Sequence, residues 1–279
     1  MNQLEAIAQV ENRFKKLNGS LHALKSHFKI NEIHGFRLAS KKLKALLKQL
    51  EPGLKPGEGF RLTKRFKKFY RALGEVRNLQ LQQERITARV TETGNPAPAV
   101  YLALLESSCK KEIGEAKKII GDHKDFTKDE KRIIAALKTG FTQPGRRSVE
   151  KPDAGALLLL CALKKPDETK MHAFRKTLKN YLYTLDAAGG AKDQNARGWI
   201  LTQSNAKWVA EWLGKYRDQT TGLDYLKNPF TRSLPETERV FLKETAKKWN
   251  IEKHLIRQKI YDTLKNKERT LIPSALRAI

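Results

Sequence analysis

Two histidines, His34 and His172, each precede basic residues that return at helical intervals. The first stretch carries His34, Arg37, Lys41, Lys44 and Lys48, and the second carries His172, Arg175, Lys176 and Lys179. On an α-helix, offsets of three and seven share a face, so His34, Arg37 and Lys41 form a row that Lys44 and Lys48 continue. Forked guanidinium donors and mobile ammonium charges suit phosphoryl oxygens, and an imidazole protonated below about pH 6.5 would join them. Like charges along a helix repel by about 0.2–0.5 kcal/mol per pair, and no Asp or Glu lies between Gly35 and Leu50 to relieve it. A bound anion would.

The pattern occurs twice. After the first row come Lys67, Arg71 and the run Leu73-Gly74-Glu75-Val76-Arg77-Asn78; after the second come Lys207 and Leu213-Gly214-Lys215-Tyr216-Arg217-Asp218. The His-to-Arg separations are 43 and 45 residues, so the two copies are nearly congruent. Lys67 and Arg77, like Lys207 and Arg217, fall within about a quarter turn of each other on a continuous helix. The glycine of each run is expected to permit close helix approach. Asn78 and Asp218 are placed to orient a neighbouring cation or cap backbone. The second row is thinner, because Asn180 and Leu182 stand where the first has Lys42 and Lys44. The first half is therefore expected to be the stronger anchor, with the second leaning on Lys207, Lys215 and Arg217. Whether His34 and His172 touch a ligand or only tie helices together is open on spacing alone. For His22, His27, His123 and His254, outside the repeat, a packed or capping role is expected.

The elements that must hold these residues are helices. Apolar residues recur at three and four spacing through stretches rich in Leu, Ala, Lys and Glu, and strand signals are sparse. Helices are predicted at 2–29, 32–50, 61–90, 97–121, 127–139, 150–164, 168–187, 198–226 and 235–268, with room for a break in the first and last. Pro52-Gly53, Pro56-Gly57, Gly94-Asn95-Pro96, Pro144-Gly145 and Gly189-Gly190 punctuate them. Phe36, Leu43, Leu46, Leu47 and Leu50 lie roughly opposite the first row and are expected in the core. The fold class is all-α, in two helical bundles: about 1–124 and 125–279.

Against 30 Asp and Glu stand 56 Lys and Arg, a formal charge of +26 spread along the chain. Such a balance in a folded protein implies a polyanionic partner. No apolar run reaches the length of a membrane span, and the start MNQLEAIAQV lacks the features of a signal peptide, so a cytoplasmic protein without membrane insertion is expected. Cys109 and Cys161, without CxxC spacing, are expected to be idle thiols, and no metal site or cofactor is expected.

Quoted whole, HGFRLASKKLKALL with ALGEVRNLQL, and MHAFRKTLKNYLYTL with WLGKYRDQTTGLDYL, resemble the CHAD family, the conserved histidine α-helical domain. The resemblance spans roughly residues 30–230. It departs at Asn78, where the family has Asp, and at Tyr181 and Leu182. The resemblance implies two bundles related by a pseudo-twofold axis, a basic central channel or cleft, and inorganic polyphosphate as ligand. It also implies His34, Arg37, Lys41, Lys42, Lys44, Arg77, His172, Arg175, Lys179 and Arg217 as its contacts, and association with polyphosphate granules.

No Walker A loop, HExxH, GxSxG or ExExK element is present, so binding without turnover is expected rather than an enzyme. Nucleic acid is the main rival ligand, its phosphodiester backbone answering the same charge. Trp199, Trp208, Trp212 and Trp249 have the spacing of core residues rather than of a base-stacking platform. An adaptor role for 235–268 is a third reading.

Overall fold

A computed structural model of the chain describes residues 2–55, 59–121, 125–142, 153–187, 200, 202–227, 231 and 233–269. The helical periodicity becomes nine α-helices among the described residues: α1 Gln3–His27, α2 Ile30–Leu50, α3 Lys64–Thr93, α4 Ala99–Ile120, α5 Thr127–Gly140, α6 Ala154–Ala162, α7 Glu168–Ala187, α8 Gln203–Lys227 and α9 Glu236–Arg269. A single 3-10 turn, Glu51–Gly53, follows α2, and no strand occurs among the described residues. The all-α reading holds, and neither α1 nor α9 breaks. The predicted punctuation at Pro56-Gly57, Pro144-Gly145 and Gly189-Gly190 lies outside the described residues, as do His123 and Trp199.

Helix ends follow local chemistry. At the start of α1, the Asn2 side chain accepts from the Glu5 N–H at 2.8 Å while the Glu5 carboxylate accepts from the Asn2 N–H at 2.9 Å, a reciprocal cap. The helix stops at Phe28, a buried residue held at φ 50°, where a side chain is ordinarily disfavoured. Glu32 then accepts from the Lys29 N–H at 3.0 Å, so the acid nearest the first row is engaged in capping α2. Helix α3 begins at Lys64 rather than 61 because Thr63 caps it, accepting from the Phe66 N–H at 3.2 Å. Thr63 is itself fixed by the fully buried Asp129 of α5, which accepts from its N–H and its hydroxyl.

The chain divides into two compact units, Met1–Arg147 and Ser148–Ile279. The division falls later than residue 124 because α5 packs on α1 and so belongs to the first unit. Gly53 lets it close: a Cβ there would lie 2.5 Å from the Phe141 ring that follows α5. In the first unit α1 packs on α2, α2 on α3 and α3 on α4. Its core centres on Phe36, Phe66, Phe69 and Phe126, with Phe66 and Phe126 edge to face at 5.1 Å. Phe36, Leu43, Leu46, Leu47 and Leu50 are all buried, as their spacing predicts. In the second unit α7 packs on α8, and α9 lies along both α8 and α6. Leu178, Tyr181, Ala206, Val209, Leu213 and Ile260 form its centre. Arg257 of α9 donates to the Leu163 carbonyl at 2.9 Å, taking up one of the carbonyls that the end of α6 leaves open.

Candidate anion-binding site

Of the first row, His34, Arg37, Lys41 and Lys44 converge with Lys67 and Arg77 of α3. Arg37, half-buried, donates from Nη1 to the Tyr70 carbonyl at 2.7 Å and lies 4.4 Å from the centre of the Tyr70 ring. Gly74 makes the seat: a Cβ there would stand 2.8 Å from that same Nη1. The glycine therefore accommodates a guanidinium, rather than simply bringing two backbones together. One donor group of Arg37 is spent on tying α2 to α3, and the guanidinium is held in a fixed place.

Lys44 runs over the same rings, its ammonium 3.7 Å from the centre of Tyr70 and 5.3 Å from that of Phe66. Burial first, then the charges of Arg37 and Lys67, push its pKa down to about 8. His34 is exposed at its edge, yet partial loss of water, then Arg77, Lys41 and Arg37, hold its pKa below the ordinary 6.5. These shifts record burial and the pressure of neighbouring cations on His34 and Lys44. Arg77 reaches back from Nη1 to the Ile30 carbonyl at 3.2 Å, and Gln80, one turn on, donates to the Phe28 carbonyl at 3.1 Å. Together they grip the corner from which α2 starts.

Not every predicted residue joins this cluster. Lys42 stands apart from it, on the side of α2 that faces α1, where it lines a groove with Arg13 and Lys16. Lys48 and Arg71 are exposed at the margin, Lys48 one turn beyond Lys44 and Arg71 one turn beyond Lys67.

The second unit repeats the frame with different electrostatics. His172, Arg175 and Arg217 line one small cavity with Glu168 and Tyr216. Gly214 faces Arg175 at an ordinary contact distance, a Cβ there lying 3.5 Å from its Nη2. Ala210 and Ala206 stand where the first unit has Tyr70 and Phe66, so no aromatic shelf supports a lysine, and Leu182 replaces Lys44. Lys179 has its pKa lowered by burial and by Arg175, but Glu211 acts in the opposite sense. Glu211 also pairs with Lys215 at 3.2 Å, an exposed pair one turn apart on α8. Lys176 and Lys207 are exposed. The second half differs from the first by more than missing cations: Glu211 occupies the repeat position of Arg71, and Asp186 that of Lys48.

Sequence spacing passed over Tyr70, Phe66, Gln80, Glu168 and Lys253. Tyr70, three residues after Lys67 and four before Gly74, is the one whose face was readable in advance. The histidines outside the repeat depart from expectation: His22, His27 and His254 are exposed, with His254 3.1 Å from an Arg257 nitrogen. Both cysteines are buried; burial raises the Cys109 thiol and pushes that of Cys161 up to about 12. Trp249 is buried, and Trp208 and Trp212 pack against the second unit's core, where Lys215 and Lys259 lie 4.4 and 4.3 Å from the Trp212 ring centre. Among the described residues no helix is long and apolar enough to cross a membrane.

The family model for the CHAD domain matches residues 8–205 of the chain. Two solved structures share its fold. PptA from Streptomyces chartreusis is 15% identical, with a TM-score of 0.63 over 95% of this chain and 99% of that one. The CHAD domain from the plant Ricinus communis is likewise 15% identical, with a TM-score of 0.68 over 97% of this chain and 92% of that one. No curated protein matches the sequence.

Proposed function

The chain belongs to the CHAD family, whose general property is polyphosphate binding, and from that premise we propose that it holds inorganic polyphosphate without turning it over. Its main contacts are His34, Lys41, Lys44 and Arg77, with Lys67, Arg71 and Lys48 extending the path and Arg37 oriented by Tyr70. The observation that carries this reading is the cationic cluster on α2 and α3, in which Lys44 and His34 are held below their ordinary pKa values by burial and by other cations. Folding has gathered charges that repel one another, and a flexible chain of phosphates with one negative charge or more per unit relieves each of them. Single-stranded nucleic acid offers one charge per nucleotide and is held with stacking surfaces for its bases. Trp208, Trp212 and Trp249 are instead engaged with the second unit's core.

Competition decides between these ligands. Long-chain polyphosphate is expected to displace single- and double-stranded DNA and RNA at near-physiological salt, and equal or tighter nucleic-acid binding would sink the assignment. Lys41→Ala with Lys44→Ala is expected to weaken polyphosphate binding about tenfold or more, given about 1 kcal/mol or more per desolvated charge. Lys110→Ala with Lys118→Ala, which removes the same charge from exposed ion pairs on α4, should cost less than about threefold. Equal losses would assign recognition to net charge. Orthophosphate release by pure protein over hours with Mg2+ or Mn2+ tests the absence of turnover.

A further inference from the structure

Glu168 opens α7 as Ile30 opens α2. Each is the first residue of its helix, and each stands four residues before the histidine of its repeat. Their surroundings differ. The Glu168 carboxylate accepts from the Tyr216 hydroxyl at 2.9 Å and the Thr220 hydroxyl at 3.2 Å, both on α8, and pairs with Lys253 Nζ of α9 at 2.5 Å. It also lines the cavity that contains His172, Arg175 and Arg217. Two hydroxyls and an ammonium therefore meet a single carboxylate, and the repeat's own imidazole and guanidinium groups line the same cavity. That is the donor set an anion site needs, with a side chain of the protein as its anion. In the first unit the corresponding position is Ile30, an uncharged side chain whose backbone carbonyl takes the Arg77 hydrogen bond.

We propose that Glu168 is a resident anion beside the phosphate position of the second repeat, so that the chain takes one short oligophosphate, on the first repeat. This rests on the polyphosphate reading above and adds a determinant of stoichiometry to it. A phosphate approaching the second repeat's cations meets a fixed carboxylate and competes with it for Lys253, and like charges a few ångströms apart in a half-buried site repel strongly. The hydroxyls hold Glu168 in place: burial and the hydrogen bond to the carboxylate keep Tyr216 protonated far above its ordinary range. The same residue fastens α7 to α8 and α9.

The test is calorimetric titration of the full chain with inorganic tripolyphosphate. Wild type is expected to bind one molecule per chain, and Glu168→Gln two, the second within about tenfold of the first. Glutamine keeps partners for Tyr216 and Thr220 while removing the charge. The reciprocal variant, Ile30→Glu, installs a carboxylate at a helix start that tolerates it and is expected to weaken the first site about tenfold. A wild type that already binds two, or a folded Glu168→Gln that binds like wild type, overturns the resident-anion assignment. If Glu168→Gln loses its helical signal, Ile30→Glu decides alone, and unchanged affinity in it overturns the assignment. Binding by Glu168→Gln with none by wild type would keep Glu168 as resident anion and remove the first-row reading. Absence of binding by both would remove the two together.

Discussion

The ammonium of Lys44 lies against Tyr70 and Phe66 with Arg37 and Lys67 as its charged neighbours, and its pKa of about 8 is the price of that position. A bound polyanion favours the charged form and returns the pKa toward 10.5. The sign follows from linkage: between about 8 and 10.5 the complex holds more protons than the free protein, so binding takes up protons and affinity falls as pH rises through that window. His34 obeys the same rule lower down, its free value being held under 6.5, so affinity strengthens again as pH falls below neutrality. Calorimetry in buffers of different ionisation enthalpy should read proton uptake near pH 8–9, and Lys44→Met should abolish it there while leaving the acid limb. Gly74 and Gly214 offer a second contrast between single residues. Ala at 214 meets Arg175 at ordinary distance and should stabilise by about 0.5–1 kcal/mol through helix propensity. Ala at 74 must displace Arg37 from its seat. Its propensity gain of about 1 kcal/mol is offset by a lost hydrogen bond of similar size, so the midpoint should barely move while polyphosphate affinity drops. Urea unfolding and calorimetry on both variants separate the two outcomes.

At the scale of elements, the same two-helix frame appears twice and is used differently. Helices α2 and α3 present cations over an aromatic shelf, whereas α7 and α8 build Glu168 and Glu211 into the corresponding ground. The corner between α1 and α2 is the joint that sets the first row. Phe28 is held at φ 50°, a conformation costing roughly 1–2 kcal/mol for a side chain, and Gln80 and Arg77 of α3 hold the carbonyls on either side of it. Gln80→Ala loosens the corner without touching the charge, so it should cost about 1 kcal/mol in urea unfolding and leave polyphosphate affinity within about twofold. Arg77→Ala removes both tie and cation. It should lose similar stability and about tenfold in affinity; parallel losses in the two variants would mean that Arg77 acts only through the corner.

Over the whole molecule, a charge of +26 means self-repulsion that a polyanion relieves wherever it lies. Binding to the folded state alone raises stability by about 2.7 kcal/mol at a ligand concentration one hundred times Kd. Thermal scans should therefore show a midpoint that climbs with polyphosphate concentration, and the climb should shrink steeply as salt is raised. Long polyphosphate should give a larger shift than the same phosphate mass as tripolyphosphate, since one chain meets Lys48, Lys44, Lys41 and the α3 cations together. Equal shifts at equal mass would show that the residues bind phosphates one at a time. Each unit has its own core, around Phe36, Phe66 and Phe126 in one and Leu178, Leu213 and Ile260 in the other, so the ligand adds to folds already complete without it.

Periodicity by itself determined the nine helices, the apolar face of α2 and the line from His34 to Lys48, because which side of a helix a residue occupies is a local property of spacing. The duplicated Leu-Gly-x-x-Arg run likewise announced two copies of one frame and the thinner second row. Tertiary structure decided what those residues do. Arg37 became a tie to the Tyr70 carbonyl, Lys42 turned toward α1, and Lys44 lost water against two rings. Glu168 acquired partners 48 and 52 residues away on α8 and another, outside both copies of the repeat, on α9. The division of the chain moved to residue 147 because α5 packs on α1. A helix's own sequence specifies a face, whereas its partners across the gap depend on how other helices are laid against it.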